Sequence, residues 1–237
     1  MKRRVFVAAI VACVLTATGA TAPAADRKKL ADVRIDALIN ESQKSAGPTD
    51  GMNLVWYIPF EFWQVSFVQD DGVNEQAAAE MSEVLEPYFM LAVVRANISP
   101  FGAFTFHSRE AVARTTTTVY TDHEGDEHAL KPMDELPDDL QTLLAAVRPI
   151  LANALGPAGQ NLHIYVFSAT DERGRKLVSP YHKGELTVTL AETPNETGGV
   201  VPFELPADSL HVPRRCCGKD MHISWKYCPF CGKRLPE

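Results

Sequence analysis

The 237-residue sequence predicts an α+β fold, with an antiparallel, β-rich, sandwich-like body containing two or three helices and a small separate C-terminal unit. Runs of β-branched and aromatic residues bounded by Pro or Gly outnumber helical patterns. Few of these runs alternate with helices in regular strand-helix-strand order, which disfavours a parallel sheet. One cysteine is Cys13 and the other four lie between residues 216 and 231, so disulfide bonds within the body are excluded.

Residues 1–25 are typical of a secretory signal peptide. Three basic residues near the start precede an apolar stretch from Val5 to about Leu15 and a tract of small residues that ends at Ala25. This stretch is shorter than the roughly 20 apolar residues of a membrane span. We therefore expect an exported protein, periplasmic or secreted, with no stable membrane span after signal cleavage. The alternatives are a membrane anchor formed by an uncleaved signal or by a lipid on Cys13.

The charge distribution divides the rest of the chain into a body and a tail. The body, residues 26–212, carries 14 basic and 28 acidic side chains, whereas the tail, residues 213–237, carries 6 and 2. Because an acidic body repels phosphate backbones, we expect no nucleic-acid partner. The predicted segments are a signal peptide at 1–25, an N-terminal helix and linker at 26–51, a β-rich α+β domain at 52–212, and the tail.

The first elements predicted in the body are a helix, two strands and a second helix. Helical spacing of apolar residues extends from Asp26 to about Gln43. The segment Asn53–Val68 is rich in β-branched and aromatic residues, and Pro59 divides it into two predicted strands. Asn74 can cap a helix whose apolar residues recur at helical spacing and which ends near Pro87.

The later part of the body is predicted to contain six strands and one long helix. After Pro137, an apolar stripe from Leu140 to Leu151 predicts the helix, which Pro149 should kink. An acidic hairpin loop is expected at Asp122–Glu127. The predicted strands are Met90–Asn97, Phe101–His107, Thr115–Thr121, Leu162–Ser168, Leu186–Leu190 and Val200–Leu205.

The tail contains one specific motif, the complete knuckle Cys-Pro-Phe-Cys-Gly at residues 228–232. Two intervening residues let both thiolates reach one metal ion, and the glycine after them permits the turn. The stretch Arg214–Leu235 resembles the short zinc-ribbon family, in which two Cys-x-x-Cys-Gly knuckles are separated by about ten residues. The resemblance implies a structural zinc ion as the cofactor.

The first knuckle departs from that family pattern. Alignment of Cys217 with its second cysteine places Arg214 at the first, and a guanidinium does not ligate zinc. Either Cys216 or His222 must then complete the site. The predicted metal ligands are Cys216, Cys217, Cys228 and Cys231, with His222 as the alternative to Cys216. A disulfide or free thiols in an oxidising compartment are the other interpretation of these cysteines.

No catalytic residue is predicted from the sequence. His123 and His128 flank a Glu-Gly-Asp-Glu stretch, but a spacing of five residues places two helical side chains about 140° apart, unlike the His-Glu-x-x-His motif. We interpret this stretch as the solvated tip of a hairpin. The aromatic cluster from Trp56 to Phe67 is interpreted as core rather than as the lining of a ligand pocket.

These observations favour a non-catalytic binding or interaction protein that recognises an unknown protein or small ligand and has a structural zinc-ribbon tail. Two alternatives remain open at this point. One is an exported hydrolase with an unrecognised active site. The other is a thiol-redox or metal-handling protein that uses the tail cysteines.

Overall fold

The structure is a computed structural model that describes residues 27–46, 51–192 and 198–236. The predicted signal peptide at 1–25, with Cys13, lies outside the described residues. Within the described part of the chain, no helix combines the length and the apolar character that a membrane span requires.

The described residues form antiparallel sheets and five α-helices, which confirms the α+β class, although two or three helices were expected. The helices are α1 (Ile35–Ser42), α2 (Phe60–Gln69), α3 (Glu75–Leu85), α4 (Arg109–Thr115) and α5 (Asp138–Ala154). The strands are β1 (Gln43–Ser45), β2 (Gly51–Ile58), β3 (Tyr88–Ile98), β4 (Phe104–Phe106), β5 (Thr116–Thr121), β6 (Glu127–Leu130), β7 (His163–Ser168), β8 (Gly184–Leu190), β9 (Gly199–Leu205), β10 (Arg214–Cys216) and β11 (Lys219–Met221).

The body strands form two antiparallel sheets. In the central sheet, β1 pairs with β2 and β2 with β3, while β4 and β7 occupy different parts of the other edge of β3. The outer sheet has the order β6-β5-β8-β9. Strands β10 and β11 form a separate hairpin in the tail.

The central strand β3 is buried on both faces. Its odd-numbered residues from Phe89 to Val93 pack against the outer sheet, and its even-numbered residues from Met90 to Val94 pack against a layer of helices. Successive side chains of a strand point to opposite faces, so a strand between two layers reads as an unbroken apolar run. The two sheets thus form a sandwich. Helices cover the face of the central sheet that points away from the outer sheet.

The predicted strand after Pro59 is wrong, because residues 60–69 form α2. The ring of Phe62 lies 5.4 Å from that of Trp56 and 5.2 Å from that of Trp63, edge to face in both pairs. Because this helix is buried on most sides, its sequence lacks the alternation of apolar and polar residues, with a period of 3.6 residues, that marks a helix with one exposed face. The aromatic cluster is therefore core, as expected, but half of it is helical.

Helix α4 is the second helix that was not predicted. The hydroxyl of Ser108 accepts a hydrogen bond from the backbone N–H of Ala111 at 3.3 Å and caps the helix. A helix of seven residues is too short to show an amphipathic repeat, although its buried Val112 joins the core between the sheets. Its only strong sequence signal is therefore the cap.

The N-terminal helix is also shorter than predicted over Asp26–Gln43. It consists of a 3-10 turn at Leu30–Asp32 followed by α1, and the chain then enters β1 at the edge of the central sheet. The later elements follow the prediction more closely. The hairpin loop joins β5 to β6, α5 continues through Pro149, and β7, β8 and β9 occupy the expected segments.

A short turn at Asp208–Leu210 connects the body to the tail. The carboxylate of Glu41 in α1 accepts hydrogen bonds from the backbone N–H groups of Asp208, at 2.6 Å, and Ser209, at 3.0 Å. The carboxylate of Asp208 in turn accepts one from the backbone N–H of Ile223 in the tail, at 2.7 Å. Helix α1 therefore holds in place the turn that contacts the tail.

Candidate metal centre

Two tight turns of the tail carry its four cysteines. The first joins β10 to β11, where Cys217 has a φ of 53° and Gly218 a φ of 72°. A positive φ is uncommon for a residue other than glycine, and it lets adjacent cysteines approach one point. The second turn runs from Cys228 to Gly232, whose φ is 71°. In it the N–H of Gly232 donates to the carbonyl of Cys228 at 2.9 Å.

These turns bring four thiols into one cluster. The Sγ atoms of Cys216, Cys217, Cys228 and Cys231 all lie within 4.8 Å of one another. Cys216 Sγ is 3.6 Å from Cys231 Sγ and 3.9 Å from Cys217 Sγ, far longer than the roughly 2.05 Å of a disulfide bond. Four sulfurs about 2.3 Å from a central ion at tetrahedral angles would be about 3.8 Å apart. The cluster can therefore bind a metal ion.

Cys228 is the most deeply placed ligand candidate, with 1% of its surface exposed. Desolvation raises the pKa of its thiol, but hydrogen bonds from the backbone N–H groups of Phe230 and Cys231 and from the thiols of Cys231 and Cys216 together outweigh that effect. The net result lowers the pKa to about 7. The second knuckle thus stabilises a thiolate, which is the form that binds metals.

His222 lies outside the cysteine cluster. Its Nδ1 is 2.8 Å from the hydroxyl of Ser224 and 3.2 Å from the backbone nitrogen of the same residue. Of the two candidates for the fourth position, the structure brings Cys216 rather than His222 to the other three sulfurs.

Arg214 has a role that the sequence did not reveal. Its guanidinium donates to the carbonyls of Ile223 at 2.6 Å, Trp225 at 2.7 Å, His222 at 3.1 Å and Pro236 at 2.6 Å. The planar donor fork of arginine suits such a cross-link. Arg214 therefore ties the loop between the two cysteine turns to Pro236.

The hairpin tip with His123, and His128 at the start of β6, do not bring three potential metal ligands together. The carboxylate of Asp122 lies 3.0 Å from His128 Nε2 and accepts from the backbone N–H groups of Glu124 and Asp126. The hydrogen bond from His128, with those backbone contacts, lowers the pKa of Asp122 to about 2. Among the described residues, the tail cysteines alone bring three or more potential metal ligands together.

A cleft of about 1340 Å³ separates the tail from the body. One wall is the β5–β6 hairpin tip, a second is the loop from Asp171 to Lys183, and a third consists of tail residues 223–226 and 234–236. We call this feature the tail cleft. No protein-family model, curated protein or solved structure matches the chain in comparisons with known proteins.

Proposed function

We propose that the protein is an exported, non-catalytic binding protein whose tail is a zinc ribbon held together by one structural ion. The observation that carries this proposal is the cluster of four sulfurs at separations suited to tetrahedral coordination. Four protein ligands leave no open position for a substrate or a reactive water, so the ion has a structural role.

The small size of the tail supports a structural role for the metal. Its buried hydrophobic cluster contains only Met221, Cys228 and Leu235, with Cys216 packed against them. Such a cluster is too small to offset the conformational entropy of an ordered segment of this length, and small domains of this kind depend on metals or disulfides. Metal binding would supply the missing folding free energy.

Ligand chemistry and charge favour zinc. Soft thiolates in a tetrahedral arrangement suit Zn²⁺, and four thiolates around it leave a net charge of about −2. The six basic residues of the tail, against two acidic ones, offset that charge.

The proposed export rests on the first 25 residues, and the periplasm or the extracellular space is the proposed location. Mass spectrometry of the protein recovered from an expressing cell tests it. A mature chain that begins near Asp26 supports export. A full-length chain in the cytoplasm contradicts it.

The metal content of purified protein tests the structural site. We expect about one equivalent of zinc, and a nearly complete loss of it in Cys228→Ser, because three thiolates hold the ion much more weakly. His222→Ala is the matched control, since His222 lies in the same tail but outside the cluster, and it should keep its zinc.

A thiol-redox protein is the second candidate, because four thiols lie within 4.8 Å of one another and the pKa of one of them, Cys228, is lowered. Alkylation of the metal-loaded protein separates the two functions. Cysteines that react only after chelation support the structural site. Cysteines that react at once, or a disulfide found by mass spectrometry in protein purified without any chelator, support redox chemistry and overturn the zinc proposal.

A further inference from the structure

The floor of the tail cleft is one end of the outer sheet. Thr121 pairs with Glu127 and with Glu185, and Gly184 pairs with Leu205, so the tip of the β5–β6 hairpin, the start of β8 and the end of β9 lie side by side. The tail stands opposite this sheet end, fixed there by the hydrogen bond between Ile223 and Asp208. The cleft therefore has walls from both units of the protein.

The charges of the tail cleft differ from those of the body. Six Lys or Arg side chains line it, against three Asp or Glu, although the body as a whole carries twice as many acidic as basic residues. Cationic side chains therefore gather at the tail cleft. Such a local surplus of one charge sign concentrates ligands of the opposite sign.

Internal contacts leave this positive surplus in place. Asp122 is held by His128, and Asp171 is held by Arg175, whose guanidinium lies 2.7 Å from the carboxylate. Arg214 is committed to the carbonyls of the tail. Lys183 and Lys226 are exposed, and neither has an ion-pair partner among the described residues. Their ammonium groups are therefore available to a ligand.

The tail cleft also presents apolar surface beside these ammonium groups. Trp225 and Val212 line it and are 41% and 46% exposed, so both offer apolar surface to a ligand in the cleft. Pro206, Pro213 and Pro236 add further apolar walls. Its volume exceeds the roughly 300–1000 Å³ of small-molecule pockets. The size and the mixed lining fit a peptide segment.

We propose that the tail cleft binds an acidic segment of a partner protein, in which carboxylates alternate with apolar side chains. This inference deepens the proposed binding function and depends on the metal to hold the tail wall in place. Lys183 on the sheet end and Lys226 on the tail would pair with separate carboxylates, while Trp225 and Val212 would pack against the apolar side chains between them. A run of carboxylates suits cations on different elements better than one compact anion does.

A fluorescence anisotropy titration tests the proposal on the zinc-loaded full chain. The probe is a fluorescein-labelled peptide of about 12 residues in which Glu alternates with Leu and Tyr, a length typical of peptide-groove ligands. We expect saturable binding that weakens as salt is added, because exposed charge pairs are screened. The counterpart peptide with Gln in place of Glu should bind at least about tenfold more weakly.

Charge reversal in the cleft gives the matched comparison. Lys183→Glu/Lys226→Glu should weaken binding of the Glu peptide by about tenfold or more. The control Lys131→Glu/Lys233→Glu makes the same charge change, once in the body and once in the tail, at positions outside the cleft, and should bind as the wild type does. Equal affinities of the two double variants overturn the proposal.

Two further readouts complete the test. Binding of heparin fragments in preference to the Glu peptide would assign the cleft to an anionic polysaccharide and would also overturn the proposal. Zinc content is measured on every sample. Stoichiometric zinc without peptide binding defeats the cleft proposal and leaves the metal site standing, whereas absence of zinc in wild-type protein defeats the site itself.

Discussion

Glu61 is a carboxyl group that the fold buries without a full set of partners. Only 6% of the residue is exposed, and among the described residues its Oε2 accepts no hydrogen bond. Desolvation raises the pKa of this carboxyl above its usual value, against the opposing influence of its own backbone N–H and of the positive charges of Lys176 and Arg27. A folded pKa above the unfolded one means that the folded chain retains this proton to higher pH.

The Glu61→Gln variant should show how this burial affects stability. Between the unfolded and folded pKa values the folded state binds more protons, so the contribution of Glu61 to the free energy of unfolding falls as pH rises. The difference in Tm between variant and wild type should therefore become more positive from about pH 4 to about pH 8. Glu83→Gln, an exposed change on α3, is the control, and a difference independent of pH would contradict the assignment.

Arg214 acts on the proposed metal site without touching the ion. Loss of its four carbonyl contacts in Arg214→Ala should loosen the loop between the knuckles and weaken zinc affinity by about 10- to 100-fold, as expected for a group that positions metal ligands. Chelator competition measures this. The neighbouring Arg215→Ala removes only an exposed ion pair with Asp220 and should leave the affinity unchanged.

At the scale of the element, prediction from sequence succeeded where one face of a helix or strand is exposed. Strand β8 alternates between buried and less buried residues, and α5 carries an apolar stripe, so each displays its own period. The prediction failed for helix α2 because four of its apolar residues are buried and show no helical period: Phe60, Phe62, Trp63 and Val65. Composition alone then favours a strand.

The cysteine cluster was more predictable than the body because the spacing of its second pair is local. The second knuckle lies within five consecutive residues, so its geometry is fixed by one turn. The choice between Cys216 and His222, however, depends on how the first hairpin turns at Cys217. The tail cleft could not be predicted, because it is formed by segments far apart in the sequence.

Helix α3 offers a direct test of a sequence signal that the structure bears out. The side chain of Asn74 accepts a hydrogen bond from the backbone N–H of Ala77 at 2.8 Å. Asn74→Ala should lower the free energy of unfolding by about 1 kcal/mol, the usual cost of a lost cap. Urea denaturation measures it, and Asp71→Ala in the preceding exposed turn should have no comparable effect.

At the scale of the whole molecule, body and tail have separate cores. The body contains two large hydrophobic clusters on either side of the central sheet, and the tail contains a third, much smaller one. Metal removal should therefore unfold the tail and leave the body intact.

Hydrogen exchange with and without a chelator would check this separation. After chelation, amides of residues 214–235 should lose protection while those of β3 keep it. The turn at Asp208–Leu210 should lose its contact with Ile223 but keep its protection, because the backbone N–H groups of Asp208 and Ser209 still donate to the carboxylate of Glu41. Loss of protection in β3 as well would show that the two units unfold together.

The two ends of the body meet at the rim of the tail cleft. Arg27 forms a β-bridge with His211, and its guanidinium stacks 3.9 Å above the ring of Tyr181, one of the residues that line the cleft. The described part of the chain therefore begins beside the opening. An affinity tag joined directly to Arg27 would therefore compete for space with a ligand of the proposed cleft, and a tag for the binding measurements should be placed elsewhere.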